Sequence, residues 1–396
     1  MSVLKKLQYS ILSFQQFKNI VEELKGIGAK VQIIGKSIED REIYSLTVGE
    51  GKIKLLSICR LHGNEPASTN GGLLFLYNLL RQGSVLDYYL KPYLEDISII
   101  VIPLANPDGA ENYFRKFSKN PKPSWENSFE DTRTNASGID LNRDWLTLSQ
   151  QETRNIHRYI NEMAPLVILD HHEFYFKGGY PPKWPDGENE FMITLTDAPY
   201  FWIDENISEL SLRLSEEIAL RLSENWGHWP VKKRWFLGDS KDKNKPVVPP
   251  IYLGSHFPYV GIIKTLIETW GVGLGNYLLS ERAYIHAISI ASSVYWIYEN
   301  RSLIENMINK SKNESVMNTQ EYVISGKDLE KAKEMLYLHD ISFIEESNNI
   351  RVILPQAKAR MAMILLDRDC PLNLKLYEKR KIYTIDTLLD VKIKKL

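Results

Sequence analysis

The stretch Cys59 to Ser68, CRLHGNEPAS, sets His62 and Glu65 three residues apart, directly after the apolar run IKLLSIC. Imidazole and carboxylate are both good ligands for a divalent cation. Ligands in open α/β sheets bind beyond the carboxyl ends of the strands, where this pair falls. Gly63 and Pro66 shape a tight turn that can bring both side chains to one point. With 8 His and 50 acidic residues in the chain, about one His-x-x-acid pair arises by chance. A solvated loop with a helix-capping glutamate reads the same way, so the placement after a strand carries the argument.

A metal that does chemistry needs a third protein ligand and an open position for water. LVILDHHEF offers His171 and His172 at the end of another apolar run. Neighbouring strand residues face opposite sides, so one of the two faces the site. His172, two past Asp170, is the choice, with His171 packed or hydrogen-bonded nearby. The segment TRTNASGIDLNRDW gathers Arg133, Asp140, Asn142 and Arg143. Arginine's planar fork suits carboxylates and oxyanions, although a surface loop with ordinary charge pairs has the same composition. Glu268 lies deep in the apolar pattern GIIKTLIETW. An acid there is costly without a partner or a task, and general base beside a metal-activated water is such a task. Tyr252, at the head of the same stretch, can lie on a loop that reaches over a substrate.

Positioning such residues takes a sheet. The runs IKLLSICRL, ISIIVIPLA, LVILD, FMITLTD and GIIKTLIET have strand length, and several are apolar on every residue, as strands buried on both faces are. Helical patterns cover Ser13 to Lys25, Ala67 to Arg81, Gln150 to Met163, Glu205 to Asn225 and Ser280 to Asn300. Strands interleaved with helices predict an α/β sheet covered on both sides. KVQIIGKS and EIYSLTVGEG read as two further strands. Long loops are expected from Ala110 to Ser137 and from Phe176 to Asn189. After Asn300 the polar run NKSKNESVMNTQ reads as a linker, giving a catalytic domain over 1–302, a linker over 303–320 and a small α/β accessory domain over 321–396. A length of 396 residues suits one large domain and a smaller one.

The matching pieces resemble the zinc carboxypeptidase family, the carboxypeptidase A-like metallopeptidases. HGNE, NPDG at Asn106 to Gly109, TRTNASGIDLNRDW, the histidine of LDHHE and the glutamate of LIETWG occur in the family's order, over about residues 30 to 300. The resemblance implies a mixed central β-sheet flanked by helices and one Zn2+ per chain, held by His62, Glu65 and His172. It makes Asp140 the carboxylate that hydrogen-bonds the first histidine ligand. It makes Arg133 the group that polarises the scissile carbonyl, and Asn142 and Arg143 the pair that grips the terminal carboxylate. Glu268 becomes the general base and proton shuttle. Tyr252 matches the substrate-capping tyrosine's context, at a shorter spacing to Glu268 than in the family, with Tyr259 as its rival. The ten residues from Arg133 to Arg143 imply a shortened loop. The accessory domain has no counterpart in the core family.

The implied reaction removes single C-terminal residues from peptides. Two other zinc-dependent reactions use similar motifs: N-acyl amino acid deacylation, as in succinylglutamate desuccinylase and aspartoacylase relatives, and cleavage of cell-wall muropeptides. A binding module that kept its pocket would have lost a ligand or the base, and here each position is filled. The run from Leu253 to Ile267 has no Asp or Glu, which argues against a specialist for Lys or Arg ends. A net charge of -1 and a pI near 6.7 predict neither a nucleic-acid nor a membrane partner. Two cysteines make no disulfide framework, and the N-terminal stretch lacks an apolar signal core, so a reducing, cytoplasmic setting is expected. Nothing in the sequence sets the oligomeric state.

Overall fold

The computed structural model describes residues 2–124, 127–175, 192–225, 231–233, 246–314, 319–378 and 383–396. Two short helices open the chain, α1 (Val3–Tyr9) and α2 (Phe14–Gly26). Ser13 caps α2 reciprocally with Gln16, which fixes its start. Strands β1 (Lys30–Lys36), β2 (Glu42–Val48) and β3 (Ile53–Cys59) lead to helix α3 (Pro66–Gln82). A small hairpin, β4 (Ser84–Val85) and β5 (Tyr88–Tyr89), precedes β6 (Ile97–Ile102) and α4 (Pro107–Lys119). Then follow α5 (Gln151–Met163), β7 (Val167–Phe174), β8 (Ile193–Thr196), α6 (Glu205–Asn225), β9 (Val231–Lys233), α7 (Leu253–Tyr259), β10 (Ile263–Trp270), α8 (Leu279–Glu299) and α9 (Arg301–Glu314).

Eight strands make one sheet in the order β1-β2-β6-β3-β7-β10-β8-β9. The centre, β6-β3-β7-β10, is parallel, while β2 on β6 and β8 on β10 run antiparallel, so the sheet is mixed. The parallel strands are apolar throughout because both faces are covered. Leu55 enters the core under α3, α6 and α8, while its neighbour Leu56 enters the core under α5 and α7.

Residues 320–396 build a second, antiparallel sheet of β11 (Gln320–Gly326), β12 (Ile344–Glu345), β13 (Ile350–Leu354) and β14 (Val391–Lys395) in the order β12-β13-β11-β14. Helices α10 (Leu329–Leu338), α11 (Ala359–Leu366), α12 (Pro371–Glu378) and α13 (Ile385–Leu388) accompany it. Its apolar core is continuous with Leu146, Tyr200 and Tyr259 of the larger unit.

Two sequence expectations change. Much of the loop expected from Ala110 is helix α4. Asn106, Pro107, Asp108 and Gly109 look like a turn, yet Asn106 is an N-cap that accepts from the Gly109 N–H, and Pro107 is the first helical residue. Ala110, Tyr113 and Phe117 then face inward at helical spacing. The stretch expected as a linker is helical up to Glu314. The expected loop from Phe176 to Asn189 lies outside the described residues.

Candidate metal centre and active site

His62 and Glu65 sit just past the carboxyl end of β3, and His172 near the end of the adjacent β7. His62 Nδ1 is 2.7 Å from Glu65 Oε1, His172 Nδ1 is 2.9 Å from Glu65 Oε2, and the two Nδ1 atoms are 3.1 Å apart. All three side chains are buried. Their outer nitrogens are spoken for. His62 Nε2 meets Asp140 Oδ1 at 3.1 Å, and His172 Nε2 meets Asp170 Oδ1 at 2.8 Å. With His62 Nε2 hydrogen-bonded to Asp140 and His172 Nε2 ion-paired with Asp170, both Nδ1 atoms face Glu65, the arrangement a metal-ligating histidine needs. Burial alone would raise the Glu65 carboxyl, but the two imidazoles hold it well below the usual carboxylate range. Burial would lower His172, yet Asp170 and Glu65 push it well above its ordinary value. The site therefore asks for positive charge where the three donors converge, and two imidazoles with one carboxylate fit Zn2+.

Close backbone approaches set this geometry. A Cβ on Gly63 would fall 2.2 Å from the Gly109 carbonyl carbon and 2.3 Å from the Thr132 oxygen. Only glycine lets the HGNE turn, the start of α4 and the Arg133 segment meet. Asn106 Nδ2 donates to the Leu61 and Arg133 carbonyls at 3.1 and 3.2 Å. The Gly63 N–H donates to the Arg133 carbonyl at 3.0 Å. Asp108 anchors the other end of this clamp, accepting from Ser37 Oγ and pairing with Arg41 Nη1 at 2.6 Å each. NPDG is thus a brace for the ligand loop.

The other predicted residues fall around this centre. Asp140 Oδ2 takes a fork from Arg133, whose Nε and Nη2 both lie 3.1 Å away. Burial opposes ionisation of Asp140, but His62, Arg133 and Arg143 hold it strongly ionised. Arg133 Nη1 also lies 3.6 Å from Glu65 Oε1. Arg143 is 44% exposed, and its nearest carboxylate, Asp140, is 3.7 Å away, which leaves the guanidinium facing outward. It stacks over the Tyr252 ring at 4.5 Å, so these two residues are brought together. Tyr259 is buried instead, its hydroxyl bonded to the Val248 carbonyl at 2.9 Å, and so it faces away from the cleft. Asn142 spends its amide oxygen on the Leu253 N–H at 2.9 Å, which ties the Tyr252 turn to the ligand segment. Its Nδ2 lies 3.3 Å from His172 Nε2. Glu268 is paired in parallel register with His172. It is partly buried. Desolvation raises its carboxyl above the ordinary range, against the pull of His172. His171 turns to the opposite face and meets His286 at 3.0 Å.

Sequence reasoning gave no role to Asp170, Glu173, Arg282 or Lys264. Glu173 is fully desolvated and paired with Arg282 Nη1 at 2.6 Å, while its other oxygen accepts from the Ala67 N–H at the start of α3. The only sequence signal was their type: charged residues inside apolar strand and helix patterns.

Residues 16–163 match a family model described as zinc carboxypeptidase. Over this span the chain is similar to zinc carboxypeptidases. The matched span holds His62, Glu65, Arg133, Asp140, Asn142 and Arg143, and it stops short of His172 and Glu268, which the strand order brings alongside. Carboxypeptidase 2 of Trichophyton rubrum is 30% identical over 158 residues, which is 39% of this chain and 24% of that protein. A probable carboxypeptidase 2 of Trichophyton verrucosum (strain HKI 0517) is 25% identical over 297 residues, 72% of this chain and 52% of its own length. The chain therefore spans about half or less of these curated relatives. A metallo-carboxypeptidase from Burkholderia cenocepacia superposes with a TM-score of 0.53 at 15% identity, covering 72% of this chain and 69% of that one. At that identity the likeness is one of fold.

Proposed function

We propose that this protein is a metallocarboxypeptidase that removes single C-terminal residues from peptides. The observation that carries the reading is the placement of Glu268, on the strand beside His172 and in register with it, with the half-exposed Arg143 3.7 Å from Asp140, the partner of His62. His62, Glu65 and His172 would hold one Zn2+, which when bound supplies Lewis acidity to a carbonyl and to water. Glu268, its carboxylate made more basic by burial, takes the proton of the attacking water and later delivers it to the leaving amine. Arg133, fixed by Asp140, presents positive charge to the developing oxyanion. Arg143 binds the free terminal carboxylate of the substrate, so that the last peptide bond alone lies beside Glu268. Tyr252, stacked on Arg143, borders the same subsite. Asn142 holds the Tyr252 turn through its amide oxygen, while its amide nitrogen lies against His172 Nε2.

The test is mass spectrometry of free-ended peptides, C-terminally amidated peptides and N-acyl amino acids incubated with the protein, with and without a zinc chelator. Chelator-sensitive loss of single residues from free-ended peptides alone is the expected result. Release of acyl groups with peptides untouched would replace this reading by N-acyl amino acid deacylation.

A further inference from the structure

The structure holds a second convergence of imidazoles, away from the catalytic group. His157 on α5, His256 on α7 and His339 at the end of α10 are all buried, and one ring nitrogen of each lies within 4.8 Å of the others. The three rings form a nearly equilateral triangle, with centres 5.1, 5.3 and 5.3 Å apart. Three imidazoles set tetrahedrally around one ion, with metal–nitrogen distances of about 2.0–2.1 Å and ring centres about 1.1 Å further out, have centres about 5.2 Å apart. His157 Nε2 and His256 Nε2 are 3.1 Å apart, the same separation as the two Nδ1 atoms of the catalytic pair.

The outer nitrogens are oriented as ligands require. His256 Nδ1 donates to the Pro250 carbonyl at 3.2 Å, and His339 Nε2 to the Leu146 carbonyl at 2.8 Å. His157 Nδ1 lies 3.4 Å from Asn161 Nδ2, which itself donates to the Leu338 carbonyl at 3.0 Å. Backbone carbonyls thus fix the tautomers and leave His256 Nε2 and His339 Nδ1 as lone pairs. Without an ion the inventory does not balance. The two Nε2 atoms can share one proton, but His339 Nδ1 is buried with no hydrogen-bond partner among the described residues. Such an orphan costs about 1–3 kcal/mol.

We infer that His157, His256 and His339 bind a second divalent cation, Zn2+, which staples the C-terminal sheet unit to the larger one. Neutral imidazoles without thiolate or hard oxygen ligands suit zinc over magnesium or calcium. The charge of Lys358 opposes a second cation, and Asp340 offsets part of it. The fourth position is left to a small exogenous ligand. An ion here ties α5 and α10 to α7, the helix that begins directly after Tyr252.

The full chain, stripped of metal, reloaded with excess Zn2+ and desalted, should carry two zinc ions by elemental analysis. A His62→Ala/Glu65→Ala variant, which disables the catalytic group, should retain one, and a chelator should lower its melting temperature. His339→Gln should also carry one, with the loss falling on the second site. The count does not depend on the reaction proposed above, and the first variant remains informative if the His339 variant fails to fold. One ion in the wild type together with none in the His62/Glu65 variant would overturn the inference.

Discussion

A carboxylate beside two imidazoles and a second carboxylate feels opposing fields, and Glu268 is placed among them. His172 and His62 favour its charge, while Glu65, Asp170 and burial oppose it, with burial the largest effect. The outcome is a base that binds a proton more readily than a surface glutamate does, which suits a group that must take a proton and give it back. Glu268→Gln keeps the shape and removes the basicity. Zinc content should be unchanged and kcat should fall by about 10²- to 10⁴-fold; elemental analysis and peptide turnover check both halves. Full turnover in this variant would take Glu268 out of the mechanism. Asp140 acts through His62. Asp140→Asn should weaken zinc affinity by about 10- to 100-fold, read by competition with a fluorescent chelator.

At the scale of elements, the site depends on braces that hold three strand ends together. The buried Glu173–Arg282 pair links β7 to α8, and Glu173 also caps the first turn of α3, just past Glu65. Arg282 Nη2 further donates to the Gly275 and Tyr277 carbonyls. Removing one member leaves a desolvated charge, so Arg282→Met should cost about 3–5 kcal/mol in urea unfolding, and adding Glu173→Gln should recover part of it. An unchanged unfolding midpoint would mean that the pair is not bearing on stability. These elements also show what could be read from residues alone. The five apolar runs are strands because burial on both faces writes itself into composition, and the candidate ligands could be singled out because they stand at the carboxyl ends of those runs. Helix α4 was not, since Asn-Pro-Asp-Gly serves equally as a turn and as a cap, and the close approach at Gly63 that decides it is a long-range contact. The outward Arg143 and inward Tyr259 were equally out of reach, because sequence spacing does not fix which way a loop side chain turns. The histidine triangle was hidden by distance along the chain: its members are separated by 99 and 83 residues, with no shared motif.

At the scale of the molecule, Lys264 marks where the two sheet units meet. It lies on β10 with no solvent exposure, its ammonium donating to the Thr196 carbonyl and the Tyr200 hydroxyl at 3.1 and 3.2 Å. Tyr200 itself belongs to the core shared with the C-terminal sheet. Burial pulls the ammonium down from 10.5 to about 8, with Asp170, Asp197 and Glu268 holding it from falling further. The sign of the pH effect follows. Below pH 8 the lysine is charged folded and unfolded, and the fold bears the full cost of desolvating it. Between about 8 and 10.5 the unfolded chain keeps the proton while the folded one has lost it. Over that window the wild type gains stability with rising pH, by up to about 1.4 kcal/mol per unit and on the order of 3 kcal/mol in all. Lys264→Met has no proton to lose at this position. The difference in unfolding free energy between variant and wild type should therefore shift in the wild type's favour from pH 8 to 10.5 and stay flat from pH 6 to 7.5, as chemical denaturation at each pH would show. A difference that is constant across both ranges would mean that the folded protein keeps Lys264 charged at its usual pKa, and that the junction of the two units is wetter than its burial indicates.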